Sequence, residues 1–322
     1  MVIETQAAAE IGPATEVALA GTPVNPKRRR TSLSRTRGEK IFAVVNVVVL
    51  LLAVAVTLFP FVNVLAQSLS SQKFIDQGTV TIWPQGWNFQ TYKLVASDST
   101  FWINYRNTIV YTVVSTAVSM LLSTMFAYAI SRKDLKGRGF FIGLALVTML
   151  YSGGIVPTYI LVNKLHMTNT IWAIAIPNAI SVFNVLVMKS FFENLPHELI
   201  EAAEIDGLNT YGTLIRIVLP LSKAVIATMI LFYGVANWNS WFPAFLYMDH
   251  SSLYPVTVYL RNLIAGASGA QNAGAAADSD LTQIGANIKA VTMILTVLPI
   301  LFVYPFIQRY FVSGVMLGSV KG

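Results

Sequence analysis

Six long apolar stretches constrain this chain more than any other feature. They cover roughly residues 41–66, 107–131, 139–163, 171–192, 221–248 and 290–308. A helix of about 20 mostly apolar residues is long enough to cross the hydrocarbon core of a bilayer. Only 11% of the 322 residues are charged, whereas soluble domains carry about 25%. The sequence therefore predicts an all-α membrane protein with six transmembrane helices.

The distribution of Lys and Arg predicts how these helices are oriented. With the N-terminus inside, sixteen of the 22 Lys and Arg residues fall on the cytoplasmic side. The largest clusters are KRRRTSLSRTRGEK before the first apolar stretch and SRKDLKGRG after the second. Cytoplasmic loops carry such an excess, so we expect both termini in the cytoplasm. Because these basic residues lie beside apolar runs, we expect no nucleic-acid partner.

The ends of the chain are expected to be simpler than its centre. Residues 1–40 predict a disordered, basic cytoplasmic tail, residues 41–310 the membrane domain, and residues 311–322 a C-terminal cytoplasmic tail. A secretory signal peptide is a competing interpretation of the first apolar stretch, because VLAQS offers a cleavage site after Ala66. The long basic region and the 26-residue apolar run favour an uncleaved anchor instead.

The apolar stretches lack the side chains that several function classes need. Ionisable residues lie only at their edges, as Arg132 and Lys189 do. Ion-coupled transporters usually place such groups inside the membrane, so secondary transport is disfavoured, although backbone carbonyls at a broken helix could still bind Na⁺. The chain has no G-x-x-x-x-G-K-[ST] phosphate cradle, so any ATP would bind to another polypeptide. His166, His197 and His250 are scattered and predict neither a metal site nor an enzyme.

One polar segment, residues 193–220, interrupts the apolar pattern with ENLPHELIEAAEIDGLNTYGTLIRIVLP. Each acidic residue would cost about 2.5–3.5 kcal/mol at the centre of a membrane helix, so the segment lies outside the bilayer. Pro196 favours a first helical turn, and Gly207 can adopt the left-handed conformation that ends a helix. We therefore predict an elbow: a short helix near residues 196–206, a turn at Gly207, and a second helix that leads into the bilayer.

Two interpretations of this elbow remain open from the residues alone. A short polar and apolar helix beside a membrane span usually lies on lipid, but anionic lipid would repel Glu201 and Asp206. The other interpretation is that the acidic elbow contacts a soluble protein and transmits its movement.

The elbow sequence resembles the signature of the inner-membrane permease subunits of ATP-binding-cassette importers. That signature reads E-A-A, then D-G, and ends in I-x-L-P, which is matched here by Glu201, Ala202, Ala203, Asp206, Gly207, Ile217, Leu219 and Pro220. Segments such as SGGIVPTYILVNKL and LFYGVANWNSWF are similar to the carbohydrate-uptake branch, the MalG-type and LplC-type permeases. The resemblance covers residues 40–322. Ala224 stands where the family often has a proline, which predicts a straighter start to the fifth helix.

The resemblance implies a type I importer permease in the cytoplasmic (inner) membrane of a bacterium. Its helix at residues 196–210 would couple to a separate ATPase, and the C-terminal residues Gly318, Lys321 and Gly322 would contact that ATPase. The coupling residues that the resemblance implies are Glu201, Ala202, Ala203, Asp206, Gly207, Leu219 and Pro220. The implied partners are two ATPase subunits that carry ATP and Mg²⁺, a second and different permease, an external solute-binding protein and a carbohydrate. This chain itself is expected to bind no cofactor or metal and to catalyse no reaction.

Two polar groups within the apolar stretches are candidates for the substrate path. Sugars stack on aromatic rings and hydrogen-bond to amides and hydroxyls. The candidate residues are Tyr151, Ser152, Gly153, Tyr233, Asn237, Trp238, Asn239 and Trp241. Helix packing and interfacial anchoring explain the same residues without a path. At the level of the whole chain, a channel or secondary transporter that works alone and a membrane scaffold without a path remain the alternatives.

Overall fold

The structure, a computed structural model, describes residues 37–272, 287–302 and 305. This part of the chain is all-α, as the sequence predicted, and its one strand-like pairing is an isolated bridge between Ser70 and Trp87. The chain divides into two compact units, one up to Ala55 and one from Val56 onward. In the first unit, apolar side chains such as Phe42 and Leu50 are exposed, which is the pattern of a helix that faces lipid or another chain.

The α-helices are labelled in chain order. The first eight are α1 Arg37–Ser68, α2 Gln72–Asp76, α3 Gln90–Ser97, α4 Ser99–Ser131, α5 Arg138–Leu150, α6 Ile155–Lys164, α7 Trp172–Ala175 and α8 Val182–Glu193. The next six are α9 His197–Ile205, α10 Thr210–Thr213, α11 Leu219–Leu221, α12 Lys223–Trp238, α13 Phe242–Tyr247 and α14 Val256–Asn272. The last in the described residues is α15 Asn287–Phe302. A π-helical turn, Leu214–Val218, joins α10 to α11.

Several of the predicted spans are broken helices. In the described part of the chain, only α1 and α4 are each long and apolar enough to cross a bilayer unbroken. The stretch 139–163 is α5 and α6, which meet at 114°. The stretch 171–192 is divided between α7 and α8, and the stretch 221–248 between α12 and α13. The prediction of one continuous helix for each of these stretches is therefore wrong. The number of six membrane crossings stays a prediction.

The break between α5 and α6 is a four-residue segment, Tyr151–Gly154, with no helical structure. Gly154 has φ +86°, a conformation that L side chains rarely adopt. Its N–H donates to the hydroxyl oxygen of Ser152 at 3.2 Å instead of to a helical carbonyl. This glycine explains why an apolar run of sufficient length does not form one helix.

The largest core of the described residues lies at the end of the bundle where α4 and α8 finish and α12 begins. It consists of Ala127, Tyr128, Ile130, Val185, Met188, Phe192, Leu214, Val218, Val225 and Met229. Leu214 and Val218 belong to the π-helical turn. The segment around residues 193–221 is therefore packed onto the helix ends and is not a free loop.

Along its length, α4 presents a buried polar face to its neighbours. Its members include Asn104, Thr108, Ser115, Ser119 and Ser123. Small and hydroxyl-bearing residues allow helices to approach closely within a membrane, and their polar atoms bond between helices. This face makes α4 the central helix, against which α8 and α12 pack.

Candidate functional site

The elbow, residues 197–221, begins with a helix whose two ends follow from local sequence. Pro196 is the N-cap, with φ −56°, and Glu198 lies in the first turn of α9, where the helix dipole favours a carboxylate. At the other end Gly207 has φ +78°. The N–H of Gly207 donates to Glu204 O at 3.1 Å, and the N–H of Leu208 donates to Ala203 O at 2.9 Å. The turn at Gly207 is present as predicted.

The second limb of the elbow starts at a side-chain cap. Asn209 Oδ1 accepts a hydrogen bond from the N–H of Gly212 at 2.8 Å and so begins α10. After α11 the chain bends by 87° into α12. The sequence predicted a straighter start because Ala224 is not proline, and that prediction is wrong. Pro220 already lacks an N–H, and the preceding π turn interrupts the regular ladder, so the bend forms at Ser222.

The predicted coupling residues divide between an inner and an outer face of the elbow. Ala203 is only 2% exposed, so it contacts this chain and is not open to a partner as the sequence suggested. Ala202, Asp206, Gly207 and Pro220 are exposed on the outer face, while Leu219 is half-buried. Glu201 is exposed as well, but it lines the cavity between α9 and the bundle. The exposed surface of the elbow thus offers two carboxylates, Asp206 on the outer face and Glu201 beside the cavity.

Ion pairs attach the elbow to the rest of the bundle. Arg132, which directly follows α4, places its Nη2 at 2.8 Å from Glu204 Oε1 and its Nε at 3.0 Å from Asp134 Oδ1. The hydrogen bond from Arg132 lowers the pKa of Asp134, so this carboxylate stays charged. From the sequence, these basic residues indicate membrane topology only. The ion pair between Arg132 and Glu204 could not be predicted, because the two residues are 72 positions apart.

A second cluster of charges holds α8 beside α5. Glu193 pairs with Arg138, and its other oxygen lies 2.8 Å from Lys189 Nζ one helical turn earlier. Arg138 Nε also donates to Ile130 O at 2.8 Å. Between this cluster and α9 lies a cavity of about 280 Å³, lined by residues that include Tyr128, His197 and Glu201. The elbow therefore contacts the bundle through charged residues that surround a small cavity.

Three of the predicted path residues are used for packing. Tyr233 is 5% exposed; its hydroxyl lies 2.6 Å from Ser123 Oγ and accepts the N–H of Ser181 at 3.0 Å. Trp238 Nε1 donates to Thr296 O at 3.2 Å, and Asn237 Nδ2 donates to Thr116 Oγ1 at 3.2 Å. These bonds join α12 to α4, to α15 and to the residue that precedes α8.

The other path candidates are exposed and form two groups. Asn239 and Trp241 lie together at the end of α12, while Tyr151, Ser152 and Gly153 lie at the break between α5 and α6. A groove of about 470 Å³ between α4, α12 and α15 is lined by mostly apolar residues such as Val113, Met120 and Ile230. That lining suits a hydrocarbon chain better than the hydroxyls of a sugar.

The expectations about the tails and about metal binding concern different parts of the chain. The predicted contact residues Gly318, Lys321 and Gly322 lie outside the described residues, as does most of the 1–40 tail. Within the described part of the chain, no group of three or more His, Asp or Glu side chains could hold a metal ion.

Comparison with known proteins identifies the class to which this fold and elbow belong. Residues 94–316 match the family described as the binding-protein-dependent transport system inner membrane component. The chain belongs to this family, whose members are membrane subunits of ATP-driven importers that work with an ATPase, a binding protein and a second permease. Membership supports the importer over a channel or secondary transporter that works alone.

Individual relatives and one solved structure agree with this assignment. Protein LplC of Bacillus subtilis (strain 168) is 38% identical over 90% of this chain and 98% of its own length. The polygalacturonan/rhamnogalacturonan transport system permease protein YtcP of the same organism is 37% identical over 85% of this chain and 96% of its own. The crystal structure of a bacterial ABC transporter involved in the import of the acidic polysaccharide alginate matches with a TM-score of 0.78 at 29% identity, covering 86% of this chain and 99% of the matched chain.

Proposed function

We propose that this chain is the membrane-spanning subunit of an ATP-driven importer of oligosaccharides, in which it forms half of the translocation path. The observation that carries the proposal is the elbow, which exposes the carboxylates of Glu201 on α9 and of Asp206 just before the turn at Gly207. An acidic projection that is packed onto the end of a membrane bundle is suited to a cleft in a soluble protein. In this proposal α9 is the coupling helix that enters the ATPase.

The energy source lies on other subunits in this scheme. Two ATPase subunits bind ATP and Mg²⁺, and their closure moves α9 as a lever. The second half of the path comes from a different, homologous permease, and an external binding protein delivers the substrate. Both termini lie in the cytoplasm, where Gly318, Lys321 and Gly322 extend toward the ATPase pair. The chain itself catalyses no step.

The carbohydrate substrate is supported by the relatives and by exposed side chains. YtcP is named for polygalacturonan and rhamnogalacturonan, and the matched structure is involved in alginate import. This chain exposes an amide at Asn239 and aromatic rings at Trp241 and Tyr151, the groups that bind sugar hydroxyls and sugar faces. These three residues remain our candidates for the path, whereas Tyr233 and Trp238 support the helices that carry it.

The test uses the full transporter in proteoliposomes with its binding protein. Glu201→Gln is expected to weaken co-purification of the ATPase and to reduce ATP hydrolysis stimulated by sugar-loaded binding protein. Glu198→Gln changes another exposed carboxylate, one turn earlier on α9; it is the matched control and should leave both nearly unchanged. Sugar uptake by the purified permeases without an ATPase would contradict the proposal.

A further inference from the structure

A guanidinium group lies on aromatic rings at the far end of α12 from the elbow. Arg261 Cζ is 4.0 Å from the ring centroid of Phe245 and 5.3 Å from that of Trp241. The Trp241 ring also contacts Phe242, with centroids 5.5 Å apart. A cation over the face of an aromatic ring is attracted by the ring's electron density. We call Trp241, Phe242, Phe245 and Arg261 the aromatic cation patch.

The fold holds this patch in place from two sides. Thr257 Oγ1 of α14 donates to Ser240 O at 3.2 Å, and Val258 packs against Ala244 and Met248. On its opposite side α14 packs through Tyr259 onto the core formed by residues such as Phe101. Arg261 therefore projects from a helix that is fixed on both sides, and its guanidinium is already positioned.

The edge of this guanidinium is available to a ligand. Arginine has five N–H donors, which all lie in the plane of the group, so stacking on a ring leaves them free. In the described part of the chain, Arg261 makes one hydrogen bond, from Nη1 to Asn262 Oδ1 at 3.3 Å, and no ion pair. A carboxylate is the planar anion that fits such an edge through two parallel hydrogen bonds.

The rings supply the second half of a sugar-binding surface. Trp241, Phe242 and Phe245 are 38%, 39% and 41% exposed. Apolar faces of sugar rings pack on exposed aromatic rings. An arginine that only anchors the chain in lipid headgroups extends away from apolar surface, whereas Arg261 lies back on two rings.

The geometry points to a subsite for acidic sugars, in which the carboxylate of a uronic acid pairs with Arg261 while its ring packs on Trp241 or Phe242. This inference rests on the proposed function, since it names the chemical class of the carbohydrate. It places the subsite at the end of the bundle opposite the elbow: α12 has 16 residues and so spans about 24 Å.

The experiment compares trigalacturonate with its methyl ester, which has the same rings without the negative charge. The full transporter is placed in proteoliposomes with saturating sugar-loaded binding protein, and initial uptake is measured. Arg261→Gln should lower trigalacturonate uptake about tenfold, the loss expected for a charge-assisted hydrogen bond, and should leave uptake of the ester nearly unchanged. Arg261→Lys keeps the charge without the planar edge and should be intermediate.

The matched control is Arg106→Gln, which removes an exposed arginine from α4 and should reduce uptake of neither sugar. An equal loss with both sugars that depends on the anionic lipid content would assign Arg261 to lipid phosphate and overturn the subsite. Uptake of neutral sugars alone would overturn the subsite and leave the proposed function standing. If no sugar is taken up and none stimulates ATP hydrolysis, both fail.

Discussion

Arg132 Nη2 lies 2.8 Å from Glu204 Oε1, so the residue that directly follows α4 is tied to the elbow helix α9. The link matters because α4 is the helix against which α8 and α12 pack. We therefore expect a displacement of α9 to be transmitted through this pair to the centre of the bundle. The side chains of Arg132 and Glu204 are 22% and 48% exposed. Solvent therefore weakens their attraction, and the main effect of the pair is to position α9 beside the end of α4.

Glu204→Gln is expected to loosen this connection with little loss of stability, because exposed ion pairs contribute about 0.2–1 kcal/mol. The expected result is fewer sugar molecules transported per ATP hydrolysed, measured with labelled sugar and phosphate release in the same proteoliposomes. Asp134→Asn is the control, since it leaves the bond from Arg132 to Glu204 intact. The double variant Arg132→Glu with Glu204→Arg should restore the number of sugar molecules transported per ATP if the two residues pair directly. Failure of that rescue would argue against a direct pair.

Gly207→Ala tests the turn of the elbow. A methyl group added at Gly207 would meet no atom within 4 Å, so the penalty of this substitution comes from the backbone, which has φ +78°. A left-handed alanine costs about 1–2 kcal/mol, and we expect weaker ATPase co-purification as the turn opens. Gly143→Ala, which has equally open space inside α5, should leave co-purification intact. Equal effects of the two variants would contradict a special role for the turn.

Ala202 and Ala203 are adjacent alanines for which opposite outcomes are expected. Ala203 is 2% exposed, so Ala203→Leu should overpack the inner face and destabilise the permease by about 1–3 kcal/mol. Ala202 is exposed, so Ala202→Leu should keep the unfolding temperature and instead prevent ATPase binding. Thermal unfolding in detergent measures the loss of stability, and co-purification measures the loss of ATPase binding. A drop in unfolding temperature for Ala202→Leu would show that the outer face is misassigned.

Tyr233→Phe should act on stability and not on substrate choice. The substitution leaves the hydroxyl of Ser123 and the N–H of Ser181 without their shared partner. Such a loss in a buried position costs about 1–3 kcal/mol, which thermal unfolding of the purified complex would detect. The exposed Tyr151 provides the comparison, because Tyr151→Phe should not alter the unfolding temperature. A change in sugar preference with Tyr233→Phe would return this residue to the path.

The features that the sequence predicts correctly are those that neighbouring residues decide. The turn at Gly207 follows from one glycine after a short amphipathic helix, and the all-α fold follows from the apolar stretches. The prediction fails at Ser222, because the bend depends on a π turn whose Leu214 and Val218 are buried in the core. The hydrogen bond between Tyr233 and Ser123 is likewise not visible in the sequence, since the two residues are 110 positions apart. Contacts of this range are set by packing and leave no local pattern.

The segment Tyr151–Gly154 has a consequence for how this molecule exists in a membrane. The 13 residues of α5 rise only about 20 Å, short of a hydrocarbon layer about 30 Å thick. Exposed, irregular backbone at that depth is not tolerated against acyl chains and requires a neighbouring polypeptide or water beside it. A single copy surrounded by lipid would leave this segment against acyl chains, so we expect it to face either a second polypeptide or a water-filled cavity in the assembled transporter.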